Sequence, residues 1–298
     1  MEPTYHGMNG PAIGIVLKEL VRRCIVRAQR ELVAFEIMQK EGTSGYMDDI
    51  VTTVDLAVQE VGTKLIRECL PKLGLIAEEE NLVILPGKKF DGCFITFDPI
   101  DGTKALARRQ SHGISTMVSL VWRGEIISAW IGDIMTGEIF GYRPGSDKVH
   151  RIYRFEASQS LQIKNGVPLK EQYILFHSNP DKLSSRVGRA IELFKDIEVS
   201  GGSIGTLMAR LWKGEVGGVI LKAGKQTPWD ICPIVGISEK LGFRFFEIFP
   251  DGLGATKRNI LTEFRPQPSL ATITTQTETL IVHYSSTIEL KEKGWEIR

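Results

Sequence analysis

The sequence FITFDPIDGT occupies residues 94–103, about a third of the way along the chain. Its first four residues predict a short strand, and two carboxylates, Asp98 and Asp101, follow this strand directly. Pro99 fixes its own φ and holds Asp98 extended, and the chain then turns, so both carboxylates can converge on one point. Gly102 lets the backbone approach a ligand closely. The stretch therefore predicts a ligand site at a strand end, where sites collect in layered α/β folds.

The chemistry predicted for this stretch is cation binding. Two carboxylates held close together repel each other and shift each other's pKa, and a hard divalent cation removes that repulsion. Oxygen ligands favour Mg²⁺ or Mn²⁺ over zinc. Thr103 and Lys104 are predicted to open a helix whose free N–H groups suit a phosphate. A solvated acidic turn is the alternative, because Asp and Gly are common turn residues.

A phosphatase with an aspartyl nucleophile is a second alternative for the same stretch. That class places Asp-x-Asp after a strand that is usually early in the chain. In this sequence two residues separate the aspartates, and the motif starts only at Asp98. The spacing and the position both disfavour this class.

Three other stretches carry carboxylates in positions that suit a site. DIVTTVD spans residues 49–55, a strand predicted at 75–77 runs into EEE at 78–80, and WD occupies residues 229–230. Taken singly, they are explained as a helix start, a solvated charge run and an N-capping aspartate. Their order along the chain, around the DPIDGT motif, is the more specific signal.

In that order the four stretches resemble the inositol monophosphatase family, the lithium-sensitive, Mg²⁺-dependent phosphatase superfamily. The resemblance runs from about residue 49 to residue 241. It implies an α/β (α+β) fold: the layered αβαβα sandwich of the inositol monophosphatase and fructose-1,6-bisphosphatase type. An N-terminal α+β lobe at residues 1–145 would carry most metal ligands. A C-terminal α/β lobe at 146–298 would carry Asp230 and the substrate contacts.

The resemblance also implies residue roles. The implied metal ligands are Glu78, Asp98, the carbonyl of Ile100, Asp101 and Asp230. The implied catalytic residues are Asp49 and Thr103, which would activate the attacking water, and Glu79, an outer-sphere supporter of the metal ligands. The implied phosphate and substrate contacts are Gly102, Thr103, Gly202, Ser203 and Lys222.

One segment departs from the family pattern and bears on the substrate. Val199 stands where an arginine is expected, and Ile204 replaces a small alanine after the expected Gly-Ser pair. The glutamate that would hold inositol hydroxyls is replaced by Lys222 or Ala223, depending on how the segment is aligned. A lysine cannot accept a hydrogen bond from a hydroxyl, so Lys222 or Lys225 predicts a substrate with a second anionic group.

Composition restricts the partners and the compartment. The chain has 298 residues, and 37 Lys and Arg balance 36 Asp and Glu to a net charge of +1. This balance gives no reason to expect a nucleic acid polymer as partner. The four cysteines are scattered, as in proteins of a reducing compartment. The N-terminus shows no secretory pattern and no apolar run approaches a membrane span, so we expect a cytoplasmic protein without a membrane partner.

Periodicity predicts the order of elements. Helices are predicted at 11–40 and 49–70, and an irregular lobe boundary at 141–163. A hairpin-rich meander at 114–122, 126–131 and 138–142 precedes that boundary. Strands at 173–177, 217–221 and 244–248 then alternate with helices at 183–194, 205–212 and 229–241.

The function that the resemblance implies is hydrolysis of a small soluble phosphate ester by two-metal activation of water, with Mg²⁺ or Mn²⁺. The alternatives are a 3′-phosphoadenosine 5′-phosphate or fructose-1,6-bisphosphate phosphatase, and a non-catalytic metal- or ligand-binding regulatory protein. A homodimer is implied by the family alone.

Overall fold

The computed structural model describes residues 4–5, 8–41, 49–154, 157–163, 166–177, 179, 185–248, 259–266 and 270–298. Its helices are α1 (Gly10–Glu31), α2 (Thr53–Cys69), α3 (Thr103–Ala107), α4 (Ser185–Ile191), α5 (Ile204–Trp212), α6 (Pro228–Lys240) and α7 (Ser286–Glu292). The strands are β1 (Thr4–Tyr5), β2 (Met8–Asn9), β3 (Ile37–Lys40), β4 (Asp49–Thr52), β5 (Gly74–Ala77), β6 (Val83–Ile84), β7 (Cys93–Asp101), β8 (Ser115–Trp122), β9 (Glu125–Asp133), β10 (Ile139–Tyr142), β11 (His150–Tyr153), β12 (Ala157–Ser160), β13 (Tyr173–Phe176), β14 (Asp196–Val199), β15 (Gly218–Leu221), β16 (Gly224–Gln226), β17 (Phe243–Ile248), β18 (Asn259–Phe264), β19 (Ile273–Thr275), β20 (Thr279–His283) and β21 (Trp295–Ile297).

Two large sheets organise these strands. The first has the order β12-β11-β10-β9-β8-β7-β5-β6 and is antiparallel except where β5 runs parallel to β7. The second has the order β14-β13-β15-β20-β17-β18-β21 and is mixed. Three two-stranded ribbons, β1-β2, β3-β4 and β16-β19, complete the described pairing.

The helices and sheets form five layers, and three hydrophobic cores hold these layers together. The first joins α1 and α2 to one face of the first sheet, the second holds α5 and α6 between the sheets, and the third joins α4 and α7 to the far face of the second sheet. Successive side chains of a strand point to opposite faces of the sheet, so one strand contributes to two cores. Leu175 of β13 lies in the second core, whereas Ile174 and Phe176 lie in the third. The layer order is αβαβα, as the family resemblance implies.

The N-terminal segment differs from its prediction. The predicted helix at 11–40 ends at Glu31, and Ile37–Lys40 forms β3, which pairs with β4 in antiparallel register. The predicted helix at 49–70 accordingly begins only at Thr53. Pairing with a partner strand outweighs the local apolar pattern here, and a helical period cannot reveal that partner.

The segment predicted to be irregular also differs. Within residues 141–163 the chain forms β11 and β12, which extend the first sheet at its edge. The first sheet therefore continues past residue 145, the predicted lobe boundary. The division into two lobes stays a prediction. Strand β14 has no counterpart among the predicted elements, because its exposed edge position gives Asp196–Val199 little apolar content.

Candidate active site

A contact among three glycines joins the DPIDGT loop to the second half of the chain. Gly102 has φ of +98°, and a Cβ there would lie 2.3 Å from the carbonyl oxygen of Gly113. Gly202 also has positive φ, and its Cβ would lie 2.6 Å from the same oxygen. The N–H of Ser203 donates to that oxygen at 2.8 Å. Only residues without a side chain fit this contact, which brings Asp101 to the start of α5.

The start of α5 orients the Asp101 carboxylate. The Asp101 Oδ2 accepts hydrogen bonds from Ser203 Oγ at 2.6 Å, from the Gly205 N–H at 2.8 Å and from Ser115 Oγ at 3.1 Å. These donors occupy one oxygen of the carboxylate. Carboxylate oxygens of Asp98, Asp101 and Asp230 all lie within 4.8 Å of one another.

The carboxylate of Asp98 shows why this group suits a cation. Its side chain is only 1% exposed, and its Oδ1 has no hydrogen-bond partner among the described residues. Leaving a buried acceptor of this kind unsatisfied is costly unless an ion or water completes it. Asp230 is held nearby because the Thr227 hydroxyl donates to its Oδ2 at 2.5 Å.

Glu78 and Glu79 extend the group from the end of β5. Lys40 of β3 donates to Glu78 Oε1 at 2.9 Å and to the two oxygens of Glu79 at 2.9 and 3.1 Å. The Gln59 side chain fixes the Glu79 backbone, donating to its carbonyl at 2.8 Å and accepting from its N–H at 3.0 Å. We call the five carboxylates, Glu78, Glu79, Asp98, Asp101 and Asp230, the acidic cluster.

Burial and mutual repulsion shift the titration of the acidic cluster. Burial raises the pKa of Asp98 well above its usual range, and the charges of Glu78 and Asp101 add to the rise. Burial, then Asp101, raises the pKa of Asp230 to about 7. Burial, then Glu78, raises the pKa of Glu79 to about 7. Since positive charge relieves both effects, the all-oxygen cluster fits one or more divalent cations.

The hydroxyl of Thr103 is paired with a residue that the sequence analysis did not select. It donates to Asp55 Oδ1 at 2.8 Å, and it lies 3.1 Å from the Ile100 carbonyl. Asp55 is buried because it closes a capping box at the start of α2, where its Oδ2 accepts from the Thr52 N–H at 2.9 Å. Burial raises the pKa of Asp55, which the hydrogen bonds from Thr52 and Thr103 partly offset.

The predicted role of Asp49 and Thr103 on the attacking water stays a prediction: both line the same cleft, while the described bonds join Thr103 to Asp55 and Asp49 to Lys104. Asp49 is the first residue of β4, and its Oδ1 lies 3.3 Å from Lys104 Nζ, in an exposed ion pair at the mouth of the cleft. Strand β4 extends the chain between Asp49 and α2, so the two carboxylates meet neighbouring residues: Asp55 bonds Thr103, and Asp49 bonds Lys104. The signal for Asp55 was the Thr-x-x-Asp capping pattern at Thr52.

A cleft of about 810 Å³ opens over the acidic cluster. Asp101, Gly102, Thr103 and Asp230 line one side of it, and residues 222–226, which we call the lysine wall, line the other. Gly202 and His177 also face the cleft, and His177 Nε2 lies 2.7 Å from the Gly202 carbonyl oxygen.

A family model for the inositol monophosphatase family matches residues 15–279. The chain belongs to that family. It is a phosphatase of the inositol monophosphatase type, and the family's metal dependence accords with the buried carboxylates. No curated protein sequence matches the chain significantly.

Several solved structures share the fold of this inositol monophosphatase family member. The extragenic suppressor protein SuhB of Bartonella henselae has 14% identity and a TM-score of 0.69, with 94% of this chain and 97% of that chain covered. An IMPase of Thermotoga maritima has 18% identity and a TM-score of 0.65, covering 92% and 93%. An IMPase/NADP phosphatase complexed with NADP and Ca²⁺ has 16% identity and a TM-score of 0.67, covering 95% of each chain.

The predicted substrate contact of Ser203 stays a prediction, and the structure gives this residue another partner. Its side chain is 1% exposed and donates to Asp101, so it supports a carboxylate of the acidic cluster instead of facing the cleft. The other predicted contacts, Gly102, Thr103, Gly202 and Lys222, do line the cleft.

Several residues of this family member's site were missed from sequence. Lys40 lay in a stretch predicted as helix, and Gln59 and Thr227 carry no motif of their own. Lys40 and Gln59 act through contacts between segments far apart in the chain, and Thr227 acts through a hydroxyl that bonds a carboxylate three residues later.

In the part of the chain that the structure describes, the helices are too short or too polar to span a membrane.

Proposed function

We propose that this phosphatase hydrolyses a phosphate monoester of a small soluble molecule, using Mg²⁺ or Mn²⁺ held by the acidic cluster. The observation that carries the proposal is the buried Asp98 carboxylate, whose Oδ1 has no partner among the described residues and lies beside Asp101 and Asp230. Because all donors are oxygens, the set favours a hard cation.

The proposed ligand sets overlap at Asp98. Glu78, Asp98 and the Ile100 carbonyl would hold one cation, and Asp98, Asp101 and Asp230 a second. When bound, two such cations would neutralise phosphate charge and acidify the attacking water. Phosphoryl transfer needs mainly positioning and charge stabilisation, so this set requires no covalent intermediate on the protein.

Thr103 and Asp55 would manage the proton of the attacking water. The single hydroxyl proton of Thr103 is directed to Asp55 Oδ1, so the hydroxyl oxygen keeps its lone pairs for a proton donor in the cleft. A raised pKa makes the Asp55 carboxylate a stronger base for this relay. Gly102 and Thr103 would contact the phosphate, with Gly202 and Lys222 on the substrate side.

The ligands named for solved relatives support small phosphate esters as substrates. One is an inositol-monophosphate-bound IMPase at 14% identity, and another is an IMPase/NADP phosphatase bound to NADP. The cleft of about 810 Å³ is large enough for a molecule of that size. Dimer formation and a cytoplasmic location stay predictions from the sequence.

Turnover with and without metal tests the proposal. We expect inorganic phosphate to be released from inositol 1-phosphate or p-nitrophenyl phosphate with Mg²⁺, and release to stop in excess chelator and return when Mg²⁺ is restored. Full activity in chelator would refute the metal-dependent mechanism, and a trapped phosphorylated side chain would refute direct attack by water. A folded protein that binds Mg²⁺ and hydrolyses no ester would support the regulatory alternative.

A further inference from the structure

Several cationic side chains on the cleft have no carboxylate partner among the described residues. Four cationic side chains line it: Lys104, Arg108, Lys222 and Lys225. Asp49 pairs with Lys104, while Asp101 and Asp230 belong to the acidic cluster. Among the described residues, no carboxylate lies within ion-pair distance of Arg108, Lys222 or Lys225. Cations concentrated in a cleft attract anionic ligands.

The lysine wall is anchored by the C-terminal part of the chain. Its strand β16 pairs with β19, with Lys225 opposite Thr274. The Gly224 N–H donates to Thr275 Oγ1 at 3.2 Å, and the Thr275 hydroxyl lies 3.2 Å from the Gly224 carbonyl, which it bonds in return. Lys222 follows directly after β15, which lies inside the second sheet. The backbone that carries both lysines is therefore fixed beside the site.

The chemistry of lysine determines what this wall can recognise. An ammonium group donates hydrogen bonds and accepts none, so it pairs best with an anionic oxygen. Neither Lys222 nor Lys225 forms an ion pair with a carboxylate of the described residues, so a bound anion would not have to displace one. The volume of about 810 Å³ leaves room for an organic group and a second phosphate beyond the one at the acidic cluster.

We propose that Lys222 and Lys225 form a subsite for a second phosphate group, carried by the leaving group of the substrate. The inference rests on the proposed phosphatase function and names its preferred substrate class, small bisphosphorylated molecules. In the reaction, water adds to the phosphorus at the acidic cluster and the ester P–O bond breaks. The leaving oxygen takes a proton from the water, and the second phosphate stays on the released alcohol.

Matched substrates that differ by one phosphate test this subsite. We compare 3′-phosphoadenosine 5′-phosphate with 3′-AMP, and fructose 1,6-bisphosphate with fructose 1-phosphate, in the Mg²⁺-loaded protein. We expect the bisphosphate of at least one pair to have the higher kcat/KM. In the Lys222→Ala/Lys225→Ala variant the ratio of the two kcat/KM values should fall by about tenfold or more, the range of a charge-assisted contact.

A charge-matched control and a binding measurement complete the test. Lys88 and Lys89 are exposed and away from the cleft, so Lys88→Ala/Lys89→Ala removes the same charge and should keep the ratio. Calorimetric binding of the same pairs in Ca²⁺ should show an equal loss for the cleft variant, independently of turnover.

The outcomes separate the two proposals. No hydrolysis of any ester would overturn the proposed function. Hydrolysis with a monophosphate preferred in both pairs, or a ratio equal in the cleft and control variants, would overturn the subsite and leave the phosphatase standing.

Discussion

The acidic cluster and the lysine wall face the same cleft and are built in opposite ways. In the cluster, Asp98 is 1% exposed and Asp101 accepts three hydrogen bonds on one oxygen. On the wall, the Lys222 and Lys225 side chains are exposed, and only the backbone of β16 is bonded.

This difference separates the parts of the site that tolerate change from those that do not. Glu78, Glu79 and Asp101 are placed by partners from other elements, so a change at one of these positions leaves a buried polar or charged partner unpaired. A lysine on the wall has few contacts to lose. We expect the acidic cluster to determine the reaction and the lysine wall to determine the preferred substrate.

The largest effect should follow Asp98→Asn, which removes the carboxylate shared by both proposed ligand sets. Activity should fall by about a thousandfold or more, because several kcal/mol of charge stabilisation is lost. The stabilisation of the fold by Mg²⁺, measured as a rise in Tm, should disappear with it. Asp91→Asn, at the exposed turn before β7, is the matched control. Near-normal turnover in Asp98→Asn would show that the cluster is not the catalytic centre.

Asp55→Asn against Asp49→Asn is the sharpest comparison of buried and exposed carboxylates. Loss of the general base through Thr103 should lower kcat by ~10²–10⁴-fold in Asp55→Asn. Asp49→Asn breaks only an exposed ion pair with Lys104, worth ~0–1 kcal/mol, and should change kcat by less than about fivefold. Steady-state kinetics in saturating Mg²⁺ measures both. The reverse order would support the predicted role of Asp49 on the attacking water.

Ser203→Ala tests whether this residue supports metal or contacts substrate. Removing its bond to Asp101 should weaken Mg²⁺ binding by ~10–100-fold, as with other outer partners of metal ligands. Calorimetric Mg²⁺ titration and the Mg²⁺ dependence of activity measure the effect, and KM at saturating Mg²⁺ should change little. Ser158→Ala, which removes a hydroxyl bonded to His150, is the control. A raised KM with unaltered Mg²⁺ affinity would make Ser203 a substrate contact.

Lithium should reduce activity several-fold, as the family resemblance implies. The proposed position for Li⁺ is that formed by Asp98, Asp101 and Asp230. The assay compares LiCl with NaCl at the same ionic strength, across Mg²⁺ concentrations. Equal rates in the two salts would contradict the prediction.

The smallest effect concerns stability and pH. Burial and repulsion raise the pKa of Glu79 and Asp230 to about 7 in the metal-free protein. A carboxyl whose pKa is raised on folding contributes stability below its unfolded pKa of ~4, and this stability is lost as pH rises through the folded value. We expect the Tm of the metal-free protein to fall between pH ~4 and ~7 through this term.

Bound Mg²⁺ removes the repulsion, so the difference in Tm between Mg²⁺-loaded and metal-free protein should widen over that range. Thermal unfolding at a series of pH values, with Mg²⁺ or chelator, measures it. A difference that stays constant with pH would contradict these pKa directions.

Much of the fold was predictable because the deciding signals are local. The strand before DPIDGT, the meander through β8, β9 and β10, and the alternation after β13 each follow from periodicity and turn residues. Strand β3 was not predictable in this way. Its partner β4 and its side chain Lys40, which reaches Glu78 and Glu79, come together only after the chain folds back.

The same division applies to the site. Residue type, spacing and the order of the motifs selected Asp98, Asp101 and Asp230. In the structure Asp98 and Asp101 lie at the end of β7, where the register shifts between them, and Asp230 lies in the first turn of α6. The bond between Asp55 and Thr103 needed the structure, because Asp49 and Asp55 lie in one short motif and β4 separates them.

The sequence by itself determined the family, the layered fold and the carboxylates, because these depend on short motifs whose order along the chain is specific. Only the tertiary structure decided which hydroxyls and lysines support them. Ser203 is turned to Asp101 by the contacts of Gly102 and Gly202 with Gly113, and Lys225 is held at the cleft by β19. These contacts join residues distant in sequence, and their geometry depends on packing between layers, which no local pattern encodes.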